Sequence, residues 1–129
     1  GNVVQDYTPV SNSHVDISQD TWNNVREGMY RVIKEGSARK VFTDLNINIA
    51  GKTGTAQESK TRGNHAFFIS FAPYESPEIA VTVNIPYGYS STNAAVIAKN
   101  IYKYYYNQIS LDYILNNSAL DVSDVRIGD

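Results

Sequence analysis

The connections between its extended runs constrain this chain more than any other feature. Three stretches of strand character, 47–57, 66–72 and 79–85, are separated only by the turn-rich segments 58–64 and 73–77. A parallel pair needs a crossover of about a dozen residues or more, so connections this short predict an antiparallel three-stranded meander.

Two helices flank that sheet. Ser18 is a candidate N-cap, and Trp22, Val25, Met29, Val32 and Ile33 then recur at helical spacing until Gly36 supplies a stop, which predicts an amphipathic helix over 18–35. After the sheet, Ala94, Ile97, Ala98, Ile101, Tyr104 and Tyr105 share one face of a second helix over 92–107, with Ser91-Thr92-Asn93 offering caps. The expected fold class is α/β of the α+β type, an antiparallel three-stranded sheet flanked by helices. Residues 1–10 read as the arm of a hairpin, so the fold is expected to start upstream, and residues 108–129 read as a peripheral tail.

Composition removes several classes of function. A chain of 129 residues fits one compact domain. Lys and Arg number 11 against 13 Asp and Glu, which leaves no excess of charge to steer a nucleic acid or an acidic membrane. Ten tyrosines and four phenylalanines need burial and mark a folded chain. The absence of cysteine excludes disulfides and thiolate metal sites while leaving the compartment open. No apolar run of about 18 residues is present, so no direct membrane insertion is expected from this segment.

The stretch richest in chemistry is Ile49-Ala50-Gly51-Lys52-Thr53-Gly54-Thr55-Ala56-Gln57, where a lysine and two hydroxyls adjoin a glycine inside a strand. A purely structural strand rarely carries that glycine. A phosphate-binding loop is excluded, because it needs a glycine five residues before Gly51, where Asn46 stands, and a helix immediately afterwards. On its own, Lys52 also fits a solvated strand-edge charge. His14 and His65 have no second histidine or carboxylate at ligand spacing, so no metal site is expected, and His65 reads as the residue that opens a strand near the lysine-bearing stretch. Helical spacing sends only part of Tyr104-Tyr105-Tyr106 to one face, which fits core and rim better than a stacking platform.

This stretch resembles the third active-site motif, Lys-Thr-Gly, of the class B penicillin-binding proteins, the transpeptidases that crosslink peptidoglycan. Val25-Arg26-Glu27-Gly28-Met29, His65-Ala66-Phe67-Phe68 leading to Phe71-Ala72-Pro73, and Pro77-Glu78-Ile79-Ala80-Val81 are similar to the same family, in colinear order. The resemblance implies the C-terminal portion of a transpeptidase domain over 1–129, a partial β-lactamase/transpeptidase-like fold with the motif strand at one edge. It also implies a serine acyl-enzyme acting on D-Ala-D-Ala-like stem peptides and trapped by β-lactams, at the extracytoplasmic face of the membrane, with neither cofactor nor metal. Lys52 is then the catalytic candidate, setting cleft electrostatics and proton transfer. Thr53 and Thr55 would bind the substrate carboxylate through their hydroxyls, the Thr55 N–H would serve the oxyanion, and Gly54 would permit close approach.

Two family motifs, Ser-x-x-Lys and Ser-x-Asn, do not occur ahead of Lys52 in the required arrangement. Ser37-Ala38-Arg39-Lys40 has the letters of the first but follows the helix-ending Gly36 instead of opening a helix, so Ser37 is rejected as nucleophile. Ser91-Thr92-Asn93 comes after the motif strand and reads as an N-cap. These residues alone are therefore expected to be inactive, with the nucleophile in a longer parent. A β-lactam-sensing or non-catalytic module of the same fold is the alternative. Sheet surface left uncovered is expected to invite self-association.

Overall fold

The computed structural model describes residues 10–116, in which the elements run α1 (Gln19–Lys34), β1 (Ala50–Ala56), β2 (His65–Ala72), β3 (Ile79–Ile85) and α2 (Ser91–Tyr105). The strands form one antiparallel sheet in the order β1-β2-β3, the arrangement that the short connections demand. Among the described residues β1 pairs with β2 alone, so the motif strand is an edge. The first strand starts at Ala50 instead of 47, although the preceding Ile49 is fully buried. Of the hairpin arm expected over 1–10 only the exposed Val10 is described; the rest, with the tail beyond 116, lies outside the described residues. Residues 111–116 are helical and expose Leu111, Tyr113 and Leu115.

Strand alternation divides the sheet into two unlike faces. Ala66, Phe68, Ser70 and Ala72 of β2, with Val81 and Val83 of β3, are buried on the face covered by α2. Phe67, Ile69 and Phe71 point the other way, and Ile69 remains 47% exposed.

Helix α2 does not bury the face that its apolar residues suggest. Ala94 and Ala98 are buried as expected, but Ala95 and Tyr102 join them while Ile97, Ile101, Tyr104 and Tyr105 are exposed. Alanines let the helix axis approach the sheet, and Tyr102 is accommodated because its hydroxyl donates to Ser70 Oγ at 2.9 Å. Ser70 in turn donates to the Val81 carbonyl at 3.3 Å, so the buried polar atoms of this pair are satisfied. The cap also differs from expectation. Ser90, in extended conformation, accepts from the Thr92 N–H at 3.2 Å, and Ser91 is already the first helical residue.

Helix α1 starts where expected, with Ser18 Oγ accepting from the Thr21 N–H at 3.2 Å. Its C-terminal half docks through the buried Ile33 and through Val32, whereas Trp22 and Val25 are exposed. The helix ends without a left-handed glycine, since no glycine among the described residues has a positive φ. Gly36 serves another need: a Cβ there would lie 2.9 Å from Val32 Cα. The N-terminal half is tied down by Arg26, which donates to the Tyr74 carbonyl at 2.6 Å and lies 5.6 Å from the Phe71 ring centroid. Tyr30 stacks on Tyr74 at 4.6 Å, and Glu27 accepts from the Tyr74 hydroxyl at 3.3 Å. Segments 25–29 and 71–74, far apart in sequence, are thus one contact.

Two substitutions test this arrangement. A Cβ at Gly51 would stand 2.7 Å from Phe68 Cζ and 3.0 Å from the Ile69 carbonyl oxygen. Gly51→Ala is expected to cost about 1–3 kcal/mol, read by urea denaturation, because the buried ring and the neighbouring backbone leave no room. Burial pushes the Tyr102 hydroxyl up to about 12, from an ordinary 10.0, against the opposing hydrogen bond to Ser70. The folded state then holds a proton that the unfolded state has released, so this contribution is complete below pH 10 and is lost as pH rises towards 12. Thermal melts from pH 9 to 12 should show a steeper alkaline loss in wild type than in Tyr102→Phe (pH range set by the ordinary tyrosine value of about 10).

Candidate active site

Alternation along β1 places the motif side chains on both faces. Thr53 and Thr55 stand opposite Phe68 and Ala66 on the α2 side, while Lys52 and Gly54 stand opposite Ile69 and Phe67 on the other. The site residues therefore converge only along the free edge of the strand. Lys52 is exposed, and its Nζ donates to the Thr53 carbonyl at 2.7 Å. A Cβ at Gly54 would come within 3.3 Å of Phe67 Cβ, so the glycine also eases cross-strand contact.

The two hydroxyls have different partners. Thr53 Oγ1 lies 2.8 Å from Ser37 Oγ, which sits on an exposed turn after α1. Ser37 thus neighbours the motif strand, yet it does not occupy a helix N-terminus. Thr55 Oγ1 accepts from the Ser91 backbone N–H at 3.3 Å, which joins the motif strand to the start of α2. Ser91-Thr92-Asn93 accordingly has a task beyond the capping expected of it. Ser91 meets the motif strand, and Asn93 Nδ2 donates to the Gly88 carbonyl at 2.8 Å to hold the turn that precedes the helix.

Beyond the end of β1 lies a group of residues that spacing alone did not reveal. His65 Nε2 is 3.1 Å from Glu58 Oε2, so the carboxylate missing from its sequence neighbourhood is supplied across the loop. The Tyr87 N–H donates to His65 Nδ1 at 3.3 Å, and the two rings lie 4.9 Å apart. Arg62 donates to the Tyr87 hydroxyl at 3.1 Å. Thr61, Arg62, Gly63, Tyr87 and Tyr89 line an open depression of about 330 Å³ beside them. His65 was legible as a strand-opening residue near the cleft; Glu58 and Tyr87 were not, because the loop and the β3–α2 turn come together only in the folded sheet.

The described residues thus bring a lysine, two hydroxyls and a glycine onto an edge strand of a helix-covered antiparallel sheet. Residues 2–103 match the family described as penicillin binding protein transpeptidase domain. The peptidoglycan D,D-transpeptidase MrdA of Haemophilus influenzae is 38% identical over 104 residues, covering 67% of this chain and 16% of that protein. The stage V sporulation protein D of Bacillus subtilis is 35% identical over 108 residues, covering 76% of this chain and 16% of that protein. Among solved structures, Pseudomonas aeruginosa PBP2 in complex with WCK 5153 superposes with a TM-score of 0.64 at 36% identity, covering 75% of this chain and 23% of that one. The chain belongs to the penicillin-binding protein transpeptidase family, within its class B members. It spans about a sixth of the length of these curated relatives, 16% of the first.

The contrast between the hydroxyls gives a test. Thr55→Val leaves the Ser91 N–H without its acceptor and is expected to cost about 1 kcal/mol in urea denaturation, whereas Thr53→Val releases an exposed Ser37 to water and should cost less.

Proposed function

We propose that this chain is the C-terminal part of a peptidoglycan D,D-transpeptidase domain and supplies the Lys-Thr-Gly side of a cleft whose serine nucleophile lies in a longer parent. The observation that carries the reading is the motif strand at the sheet's edge with Lys52 folded onto the Thr53 carbonyl. That contact supports an edge-facing Thr53 carbonyl, and because strand residues alternate, the Thr55 N–H then faces the same edge as an oxyanion donor.

In this reading a serine from the parent attacks the carbonyl of a D-Ala-D-Ala-like donor, D-alanine leaves, and an acceptor amine releases the acyl group. Lys52 contributes positive charge and assists proton transfer. Thr53 and Thr55 bind the terminal carboxylate, and the missing side chain of Gly54 lets substrate lie along the strand. A β-lactam enters the same cleft and leaves a stable acyl group. The chemistry requires neither metal nor cofactor, and it takes place outside the cytoplasmic membrane, where stem peptides are found. No helix among the described residues is long and apolar enough to cross a membrane.

The test is β-lactam acylation of the longer transpeptidase carrying Lys52→Ala. Loss of a positioned electrostatic group at an acyl-transfer centre is expected to lower the acylation rate by roughly a hundredfold or more. An unchanged rate would remove Lys52 from the mechanism.

A further inference from the structure

The loop after β1 and the turn before α2 meet at one imidazole. His65 opens β2 directly opposite Ala56, the last residue of the motif strand, and its side chain is only 23% exposed. Its two nitrogens serve different segments. Nδ1 accepts from the Tyr87 N–H in the β3–α2 turn, which fixes the ring's proton on Nε2, facing the Glu58 carboxylate in the loop. The Tyr89 N–H donates to the Asn64 carbonyl at 2.9 Å, a second tie between the same two segments.

The turn needs such ties. Tyr87 and Tyr89 have φ of 54° and 63°, left-handed conformations that a bulky aromatic residue holds only when its surroundings impose them. Gly88 between them is pressed against β2 and β3, where a Cβ would lie 2.9 Å from Ala66 Cβ and 2.8 Å from Ile85 Cβ. Two residues after Tyr89, the Ser91 N–H donates to Thr55 Oγ1. A continuous path of contacts therefore runs from His65 through the strained turn and the N-terminus of α2 to the motif strand.

We propose that His65 is a positioning residue for acyl transfer: as the neutral imidazole protonated at Nε2, it latches loop 57–64 to turn 86–90 and so holds Ser91 against Thr55. The proposal rests on the transpeptidase reading, in which the Thr55 hydroxyl and N–H contact substrate. His65 acts through Thr55 and touches no reacting atom itself.

Two variants separate the roles of the nitrogens. In His65→Asn the side-chain oxygen stands near the place of Nδ1 and can still accept from Tyr87; in His65→Gln the amide reaches towards Glu58 but loses that acceptor. In the longer transpeptidase, His65→Gln is expected to slow β-lactam acylation roughly ten- to a hundredfold through misplacement of Thr55, with His65→Asn restoring most of the rate. Equal rates for wild type and His65→Gln would overturn the latch while leaving the transpeptidase reading intact. If the wild-type protein is not acylated at all, that reading fails, and nitrogen chemical shifts of the 129-residue chain still decide the latch. An Nε2-protonated ring, with Ser91 and Thr55 amide resonances that move in His65→Gln, is the expected result; an Nδ1-protonated ring, or resonances that stay in place, would overturn it.

Discussion

Everything at the motif strand depends on how closely β1 lies against β2 at Gly51. The Phe68 ring occupies the space that a side chain at Gly51 would fill, is itself fully buried, and stacks on Phe42 at 5.6 Å between centroids. The glycine before the lysine is therefore a requirement of the core. It brings the edge strand into register with the buried strand, and that register places Lys52 opposite Ile69 and Thr53 opposite Phe68.

The same alternation that makes the sheet also divides the site. Lys52 and the threonines stand on opposite faces of the strand and share only its edge. Lys52 and Thr55 are exposed and Thr53 is half-buried, and the two threonines hydrogen-bond Ser37 and Ser91. Among the described residues the motif strand offers a charge and hydrogen-bonding groups. Ser37, whose hydroxyl hydrogen-bonds Thr53, lies on a turn without the helix dipole that favours an oxyanion.

Much of this architecture was legible in the residues because it follows from local rules. Connections too short for a crossover fixed an antiparallel meander, residues 79–85 form the strand their pattern indicates, and Ser18 caps α1. The buried face of α2 differs from the one its larger apolar residues indicate, because apolar size does not decide burial there. The sheet instead selects small residues for close approach and one tyrosine whose hydroxyl finds Ser70. Helix α1 ends just before Gly36, as the stop there predicts, and the glycine's lack of a side chain also keeps it clear of Val32. At the site, the composition of the motif strand was legible. Its coupling to Ser91, and the joining of His65 to Glu58 and Tyr87, were not, since these contacts span 36, 7 and 22 residues and arise only when the sheet forms.

The central claim is that the motif strand is half of a catalytic cleft. Intact-mass spectrometry of the 129-residue chain after incubation with benzylpenicillin tests it most directly, alongside the longer transpeptidase under the same conditions. The expected result is an acyl adduct on the longer protein and an unmodified mass for the chain alone. A stable adduct on the chain, mapped to Ser37 or any other of its serines, would contradict the claim.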